Sequence, residues 1–330
     1  MSRPLYRALL VAVGGACTML SARAHAQTLS PSCAADPIQF QDACQKTTDV
    51  FDYLSPQLGT AMTGGNATPG QVGTVGGLGH FWLGLRGTGV SGTVPDFNKI
   101  TVHPTGPTPD SLPTKSVPVP MAGADLAIGI FGGLPLGLTK VGGLDLLLNA
   151  FYVPTITTDK VDVRPNHSLK IGYGGRLGIL KESGLIPGVA FTYVVRDLPT
   201  TTITATDASG DSLRLENLAL NTTSWRVTVG KTLAIVGLVA GVGEDTYDAH
   251  TDVGAEVDGF SSGTTPLATP HQKLTRTNYF GDLSLNLAFF RIVGEFGGAS
   301  GGSITTYNTF VGKAPSAARV YGSLGMGIKI

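Results

Sequence analysis

The sequence predicts an all-β fold, a transmembrane antiparallel up-and-down β-barrel of about ten strands, with a short helix before it. The first observation behind this prediction is that, in several segments, every second residue is apolar or glycine. The residues between them are polar or glycine. In one segment the apolar or glycine positions are Leu169, Ile171, Tyr173, Gly175, Leu177 and Ile179. Because successive side chains of a strand point to opposite faces, such a segment forms a strand with one apolar face. Residues 278–289 and 319–330 repeat the pattern.

The second observation is the length of the apolar runs. The chain is 42% hydrophobic, yet beyond its first residues the longest uncharged apolar stretch covers only residues 233–243. A spanning helix needs ~20 such residues, whereas a tilted spanning strand needs ~9 to 11. In lipid every backbone polar group must be paired within the protein, so strands span a membrane only as a closed barrel. A secreted soluble β-sandwich also alternates and is the alternative left open.

The third observation concerns residues 1–26, which have the features of a signal peptide. Arg3 and Arg7 form a basic head, an apolar stretch covers residues 8–20, and residues 24–26 form a small-x-small cleavage site. The whole sequence has 23 basic and 23 acidic residues. Cleavage would remove three arginines and no acidic residue, so the mature chain would have 20 basic and 23 acidic residues. The mature chain is then mildly acidic, which gives no reason to expect a nucleic-acid partner.

Residues 27–58 form a predicted helical extension. Asp36 followed by Pro37 is a helix-start signal. Spacings of three and four residues place one set of side chains on a single face of this helix, namely Phe40, Cys44, Thr47, Phe51 and Leu54. Cys33 and Cys44 are the only cysteines of the mature chain, and in an oxidising compartment we expect them to form a disulfide. No metal site is predicted, because further thiols and nearby histidines are lacking.

Residues 59–77 are rich in glycine and almost uncharged, which predicts a flexible segment. Two interpretations of this segment stand side by side. It is either a linker from the helix to the first strand or a strip that enters the barrel mouth as a partial plug.

Residues 78–330 form the predicted barrel. Ten candidate strands cover residues 78–102, 122–132, 141–153, 169–180, 188–206, 212–230, 233–247, 273–288, 291–300 and 319–330. Their connections alternate in length, as in bacterial outer-membrane barrels, whose short turns face the periplasm and whose longer loops face outside. Both termini then lie inside, so the helical extension is expected in the periplasm. If adjacent candidate segments are merged or divided differently, the barrel would have between ~8 and ~14 strands.

The last strand resembles the C-terminal signal by which outer-membrane β-barrel proteins are recognised by their assembly machinery. The matching residues are Ser323, Gly325, Ile328 and Ile330, a polar residue and a glycine followed by two apolar residues. The chain departs from the pattern by ending on isoleucine instead of an aromatic residue. The resemblance implies the bacterial outer membrane as the location, with membrane lipid and the barrel assembly machinery as partners. It does not extend to a particular porin, fatty-acid channel or barrel enzyme.

Inward-facing positions of the predicted strands carry both charge signs. They are Asp125, Asp145, Asn149, Lys170, Arg176, Arg196, Arg226, Arg276, Asp282, Asn286, Arg291 and Glu295. Barrels of ~8 strands are filled by side chains and those of ~16 strands hold an aqueous channel, so ten strands lie near the filled limit. Inward glycines leave room beside the charges. We expect a passive channel for small solutes or hydrophobic molecules, and the alternative is a structural or adhesive surface barrel with functional outer loops.

A further alternative is a protease. Asp248, His250 and Asp252 would share one face, and the Asp-x-His pair resembles the dyad of omptin-type outer-membrane proteases, which implies a general base. Omptins need a second carboxylate pair, for which Asp159 and Asp162 lack the right spacing. Solvated loop charges are the simpler interpretation, so we expect no enzyme, no metal and no cofactor.

Overall fold

The computed structural model describes residues 28–330, so the predicted signal peptide lies outside the described residues. Ten long strands form the barrel. Their bounds are β1 Phe81–Pro95, β2 Thr114–Phe131, β3 Gly143–Tyr152, β4 Leu169–Leu180, β5 Gly188–Asp197, β6 Ser212–Leu233, β7 Val236–Val257, β8 His271–Leu287, β9 Phe290–Ala299 and β10 Arg319–Lys329. Each strand pairs antiparallel with its neighbours along the chain, and β1 pairs with β10 from Trp82↔Lys329 to Val90↔Tyr321, which closes the sheet. The predicted barrel of ten strands is confirmed.

The connections define a short-turn end and a long-loop end of this barrel. At the short-turn end, β6–β7 and β8–β9 are joined by two-residue turns that begin at Ala234 and Ala288, with φ of 53° and 52°. A positive φ there gives the turn a twist that matches paired strands. The sequence placed the first of these turns at residues 231–232, which is wrong, since pairing continues to Leu233↔Val236. Ala234 adopts the positive φ without the glycine or asparagine that usually marks such a turn.

Shorter strands lie in the connections. At the short-turn end these are Leu134–Leu136 and Thr139–Val141, and at the long-loop end Ser111–Leu112, Ile156–Thr157, Val161–Pro165, Thr201–Thr206, Phe260–Ser261 and Thr309–Phe310, beside a 3-10 turn at Phe97–Lys99. β6 and β7 have 22 residues each and project beyond their neighbours. The strand Thr201–Thr206 pairs with the projecting part of β6, and Val161–Pro165 pairs with it in turn. The barrel mouth therefore has a raised wall on this side.

The outer face of the barrel is apolar and the inner face is polar. Tyr173 and Leu283 point outward and are 62% and 56% exposed, whereas Arg176 and Asp282 point inward and are 2% and 3% exposed. This arrangement suits lipid on the outside and polar groups within. Within residues 28–330, no helix is both long enough and apolar enough to cross a membrane.

Two helices precede the barrel, α1 at Pro31–Ala34 and α2 at Ile38–Thr63. The disulfide Cys33–Cys44 joins them, with the two Cα atoms 5.5 Å apart. α2 packs against β1, β6 and β7 at the long-loop end. The sequence placed the extension on the side of the short turns, and the structure has it at the opposite end. This is possible because residues 64–80 lie between α2 and β1, and about 3.3 Å per extended residue lets them cross the barrel.

The bounds of α2 differ from the predicted ones at both ends. Pro37 occupies the N-cap position, so the helix starts at the next residue, and no side chain caps it. At the other end the helix continues past Leu58 through Gly59 to Thr63. A Cβ on Gly59 would come within 2.7 Å of the Tyr247 ring, so glycine allows the helix to lie directly on that ring. Tertiary packing thus outweighs the low helix propensity of this segment.

Candidate functional site

The lumen of the barrel is occupied by residues 64–80, here called the lumen segment. Its backbone N–H groups meet the acidic residues of the wall. Asn66 donates to Glu295 Oε2 at 2.7 Å, and Gly70 donates to Asp282 Oδ2 at 2.8 Å. Farther along, the backbone N–H of Val75 donates to Asp145 Oδ2 at 3.0 Å. Hydrogen bonds to buried carboxylates are among the stronger ones in proteins, so these contacts hold the segment in place.

The basic residues of the wall bind the carbonyl groups of the same segment. Arg226 Nη2 donates to Thr63 O at 3.0 Å, just before the segment begins. Arg176 Nη1 donates to Gly73 O at 2.8 Å, and Arg291 Nη1 donates to Gly70 O at 2.8 Å. The wall therefore supplies partners to several backbone donors and acceptors of a segment that has no sheet partners of its own. In this conformation the segment lies in the lumen and engages Asp145, Arg176, Asp282, Arg291 and Glu295.

The predicted lumen residues fall into two groups. Asp145, Arg176, Arg226, Asp282 and Glu295 are buried and contact the lumen segment or the end of α2. Asn149 and Arg291 also contact this segment, and Asp125 and Arg196 belong to a buried cluster around Phe151. The remaining three predicted residues do not contact the segment. Arg276 is buried but donates to Pro315 O at 3.3 Å, in the β9–β10 loop. Asn286 lies at the short-turn end, where it donates to Ile235 O at 3.2 Å, and Lys170 is exposed at the rim because β4 begins there.

The residues of the lumen segment that make these contacts were not predicted from the sequence. Gly65 and Gly70 adopt φ of 82° and 71°, a region that glycine reaches at low cost. A Cβ on Gly65 would overlap a Glu295 carboxylate oxygen. The glycine-rich composition was visible, but which glycines touch the wall depends on contacts between residues more than 200 positions apart.

A second feature of the site is an apolar cavity of about 370 Å³ at the long-loop end. Val50, Leu54 and Leu58 of α2 form one side of it. The other sides come from the raised wall and from the upper part of β2, and include Leu198, Ala205, Leu213, Leu215, Leu218, Val117, Val119 and Met121. No lining residue is charged. Its volume and its largely apolar lining are those of a pocket for a small molecule.

The cavity lies behind a gap in the sheet. β2 pairs with β3 only from Ala122 to Phe131, so its upper part at residues 114–121 has β1 on one side and no described strand on the other. Pro118 and Pro120 on this edge lack N–H groups, which prevents ladder formation. Tyr152, which also lines the cavity, is 50% exposed beside the gap.

The protease alternative would need Asp248 to hold His250, and the structure pairs Asp248 with a different histidine. Asp248 Oδ1 accepts a hydrogen bond from His271 Nε2 at 2.8 Å. Asp162 lies 2.6 Å from Arg164 Nε, in an ion pair at the surface. In the described part of the chain, no three histidine, cysteine or acidic side chains are grouped as metal ligands would be.

Two carboxylates of α2 are buried against the outer loops. Asp49 accepts hydrogen bonds from the backbone N–H groups of Tyr307 and Asn308, at 3.1 and 2.7 Å. Burial raises the pKa of Asp49 to about 6, against these hydrogen bonds, which lower it. Burial also raises the pKa of Asp52 to about 7, although a hydrogen bond from Gln272 opposes the shift. The charged form of each is thus disfavoured where α2 meets the loops.

Stability should fall as the pH rises from about 4 to about 7. The folded state holds protons on these two carboxylates that the unfolded state, with an ordinary pKa of 3.8, has already released. Asp52→Asn should flatten this pH dependence, by about 1.4 kcal/mol for each unit of raised pKa that it removes. Thermal unfolding of the detergent-solubilised protein across this pH range measures the effect. The exposed Asp159→Asn is the control, and an Asp52→Asn profile as steep as that of the control would contradict the assignment.

The closed antiparallel barrel, the apolar belt and the polar interior define a transmembrane β-barrel of the bacterial outer-membrane class. No protein-family model and no curated protein sequence matches the chain.

Solved structures similar to it are bacterial outer-membrane β-barrels. The attachment invasion locus protein Ail of Yersinia pestis matches 77% of this chain and 99% of its own, at 10% identity and a TM-score of 0.29. The translocator domain of the autotransporter NalP of Neisseria meningitidis matches 77% and 89%, at 11% identity and 0.34. The toluene transporter TodX of Pseudomonas putida matches 76% and 88%, at 10% identity and 0.23. At these values the similarity carries no argument about function.

Proposed function

We propose that the protein is an outer-membrane transporter for hydrophobic molecules. The apolar cavity receives the molecule, and the lumen segment is the gate that must move before anything passes through the barrel. The observation that carries this proposal is the cavity itself, which is enclosed by α2 and the barrel mouth without a charged lining residue. Each CH₂ group that a ligand buries there contributes about 0.8 kcal/mol, so the cavity favours apolar ligands over polar solutes.

In this proposal the long-loop end faces outside, as in other barrels of this class. α2 then covers the outer mouth, on the opposite side of the membrane from the periplasmic position expected from the sequence. A hydrophobic molecule would enter the cavity from the outer leaflet through the gap beside Tyr152. Small polar solutes would meet only the lumen segment and the charges bound to it.

The test is binding of the neutral fluorophore N-phenylnaphthylamine to the folded protein in detergent. Ala205 lines the cavity and is buried, so Ala205→Phe should fill the space and weaken binding roughly tenfold or more, a loss of about 1.4 kcal/mol. Ala208 lies at the exposed tip of the same hairpin, so Ala208→Phe is the matched control and should bind as the unmodified protein does. Heat-dependent electrophoretic mobility shows that each variant is folded. Equal affinities for both variants would refute a ligand site in the cavity.

The second candidate is a structural or adhesive surface barrel. The filled lumen favours it, because a barrel closed by its own chain can serve without any transport. This candidate predicts that the fluorophore does not bind and that the outer loops alone carry the activity, which loop replacement with an intact barrel would detect.

A further inference from the structure

A polar cluster lies directly beneath the apolar cavity. Leu198, the residue after the end of β5, and Met121 of β2 line the cavity and are buried. Because inward positions recur every second residue, the next inward position on β5 toward the short-turn end is Arg196. On β3, the inward residue at this level is Phe151, which is 2% exposed. Arg196 therefore lies one inward position below the apolar lining of the cavity.

Two guanidinium groups flank the Phe151 ring. The Cζ atoms of Arg86 and Arg196 each lie 5.7 Å from the ring centroid. Arg86 is engaged, since its Nε lies 3.1 Å from Asp125 Oδ2 and its Nη1 donates to Asn66 O at 2.9 Å. Asp125 therefore forms its ion pair with Arg86 and not with Arg196.

Arg196 is the residue that lacks partners. Its side chain is buried, and its only hydrogen bond among the described residues is a long one of 3.5 Å from Nη1 to Ser224 Oγ. Its Nε and Nη2 have no partner, and no described acidic group lies within ion-pair distance. Buried donors are normally satisfied, and an unpaired buried charge is strongly unfavourable. A planar guanidinium whose Nε and Nη2 are both free presents the geometry that binds a carboxylate or phosphate.

We propose that the ligand of the apolar cavity is a single-chain amphiphile with an anionic head group. The chain fills the cavity, and the carboxylate, sulfate or phosphate head binds Arg196 beneath it. This inference rests on the proposed function, because it assumes that the cavity binds a hydrophobic molecule. The new element is that the site selects ligands with a negatively charged head group. Arg196, which is not part of the cavity lining, makes this selection.

The test compares two competitors of equal chain length, hexadecanoate and hexadecanol, for displacement of N-phenylnaphthylamine. Arg196→Gln should weaken displacement by hexadecanoate roughly ten- to hundredfold, the loss expected for hydrogen bonds to a charged group, and leave hexadecanol unchanged. Lys115→Gln removes one exposed cation at the same end and is the matched control. Comparing the ratio of the two competitors between variants cancels their different partition into detergent. Hexadecyl phosphate as a third competitor distinguishes a phospholipid-type head from a free carboxylate.

The outcomes separate the two proposals. An unchanged ratio in Arg196→Gln, with displacement by both competitors, overturns the anionic head while the hydrophobic cavity stands. Absence of fluorophore binding to the unmodified protein overturns the proposed function itself. If Arg196→Gln does not fold, hexadecanoate is compared with hexadecyltrimethylammonium on the unmodified protein. Preference for the anion is then expected, and equal or stronger displacement by the cation overturns the inference.

Discussion

Removal of residues 28–77 is expected to turn a barrel without measurable conductance into one that conducts. The deletion takes away α2 and most of the lumen segment, which fill the mouth and the lumen in the structure. The freed wall would present Asp145, Arg176, Asp282 and Glu295 to water, which suits a small ion-conducting pore. In planar lipid bilayers the intact protein should be silent, and the deleted protein should show discrete current steps.

The control for this deletion removes residues 260–265, which lie in the β7–β8 loop far from the lumen segment. That variant should fold and stay silent. Heat-dependent mobility and membrane insertion must be shown for both proteins. A deletion variant that lacks residues 28–77, inserts and remains silent would contradict the view that this part of the chain blocks the lumen.

Gly65→Ala is expected to destabilise the closed state by about 2 kcal/mol or more. Gly65 has φ of 82°, where a side chain costs about 1 to 3 kcal/mol. Its new Cβ would also displace the Glu295 carboxylate, which accepts hydrogen bonds from Asn66 N at 2.7 Å and Ser323 Oγ at 2.9 Å. Both effects act where the lumen segment enters the barrel, so the segment should leave its site more often.

Gly73→Ala is the matched control for this substitution. A Cβ on Gly73 meets no atom within 4 Å, and its φ is not in the left-handed region. Denaturant unfolding gives the free energy of each variant, and limited proteolysis reports exposure of the segment. Gly73→Ala should resemble the unmodified protein in both measurements. Equal stability and equal cleavage of the two variants would show that the contact with Glu295 does not hold the segment.

The barrel itself could be predicted because its signal is local. Strict alternation marks each strand, and for β4 the predicted bounds of residues 169–180 equal the observed Leu169–Leu180. Closure followed from the need to pair every backbone group in lipid. The turn at Ala234 could not be placed, because alanine gives no sign of the positive φ that it adopts.

The position of α2 and the cavity could not be predicted from local patterns. The spacing of apolar residues indicates which face of a helix or strand is apolar. It does not indicate at which end of the barrel the helix lies. The cavity combines α2 with residues near 120, 155 and 200, which are brought together only by the closed barrel and its raised wall. Likewise, the partners of Arg176 are backbone groups of the lumen segment, which have no side-chain signature in the sequence.

The decisive experiment for uptake of hydrophobic molecules is a crystal structure of the intact protein grown with a terminally brominated alkane. Anomalous scattering locates bromine without assumptions about the ligand. We predict a bromine site inside the cavity between Leu54 of α2 and Leu215 of β6, with the lumen segment still in place. Bromine found only along the outer apolar belt, in crystals whose cavity is empty of ligand, would contradict the claim that this barrel takes up hydrophobic molecules.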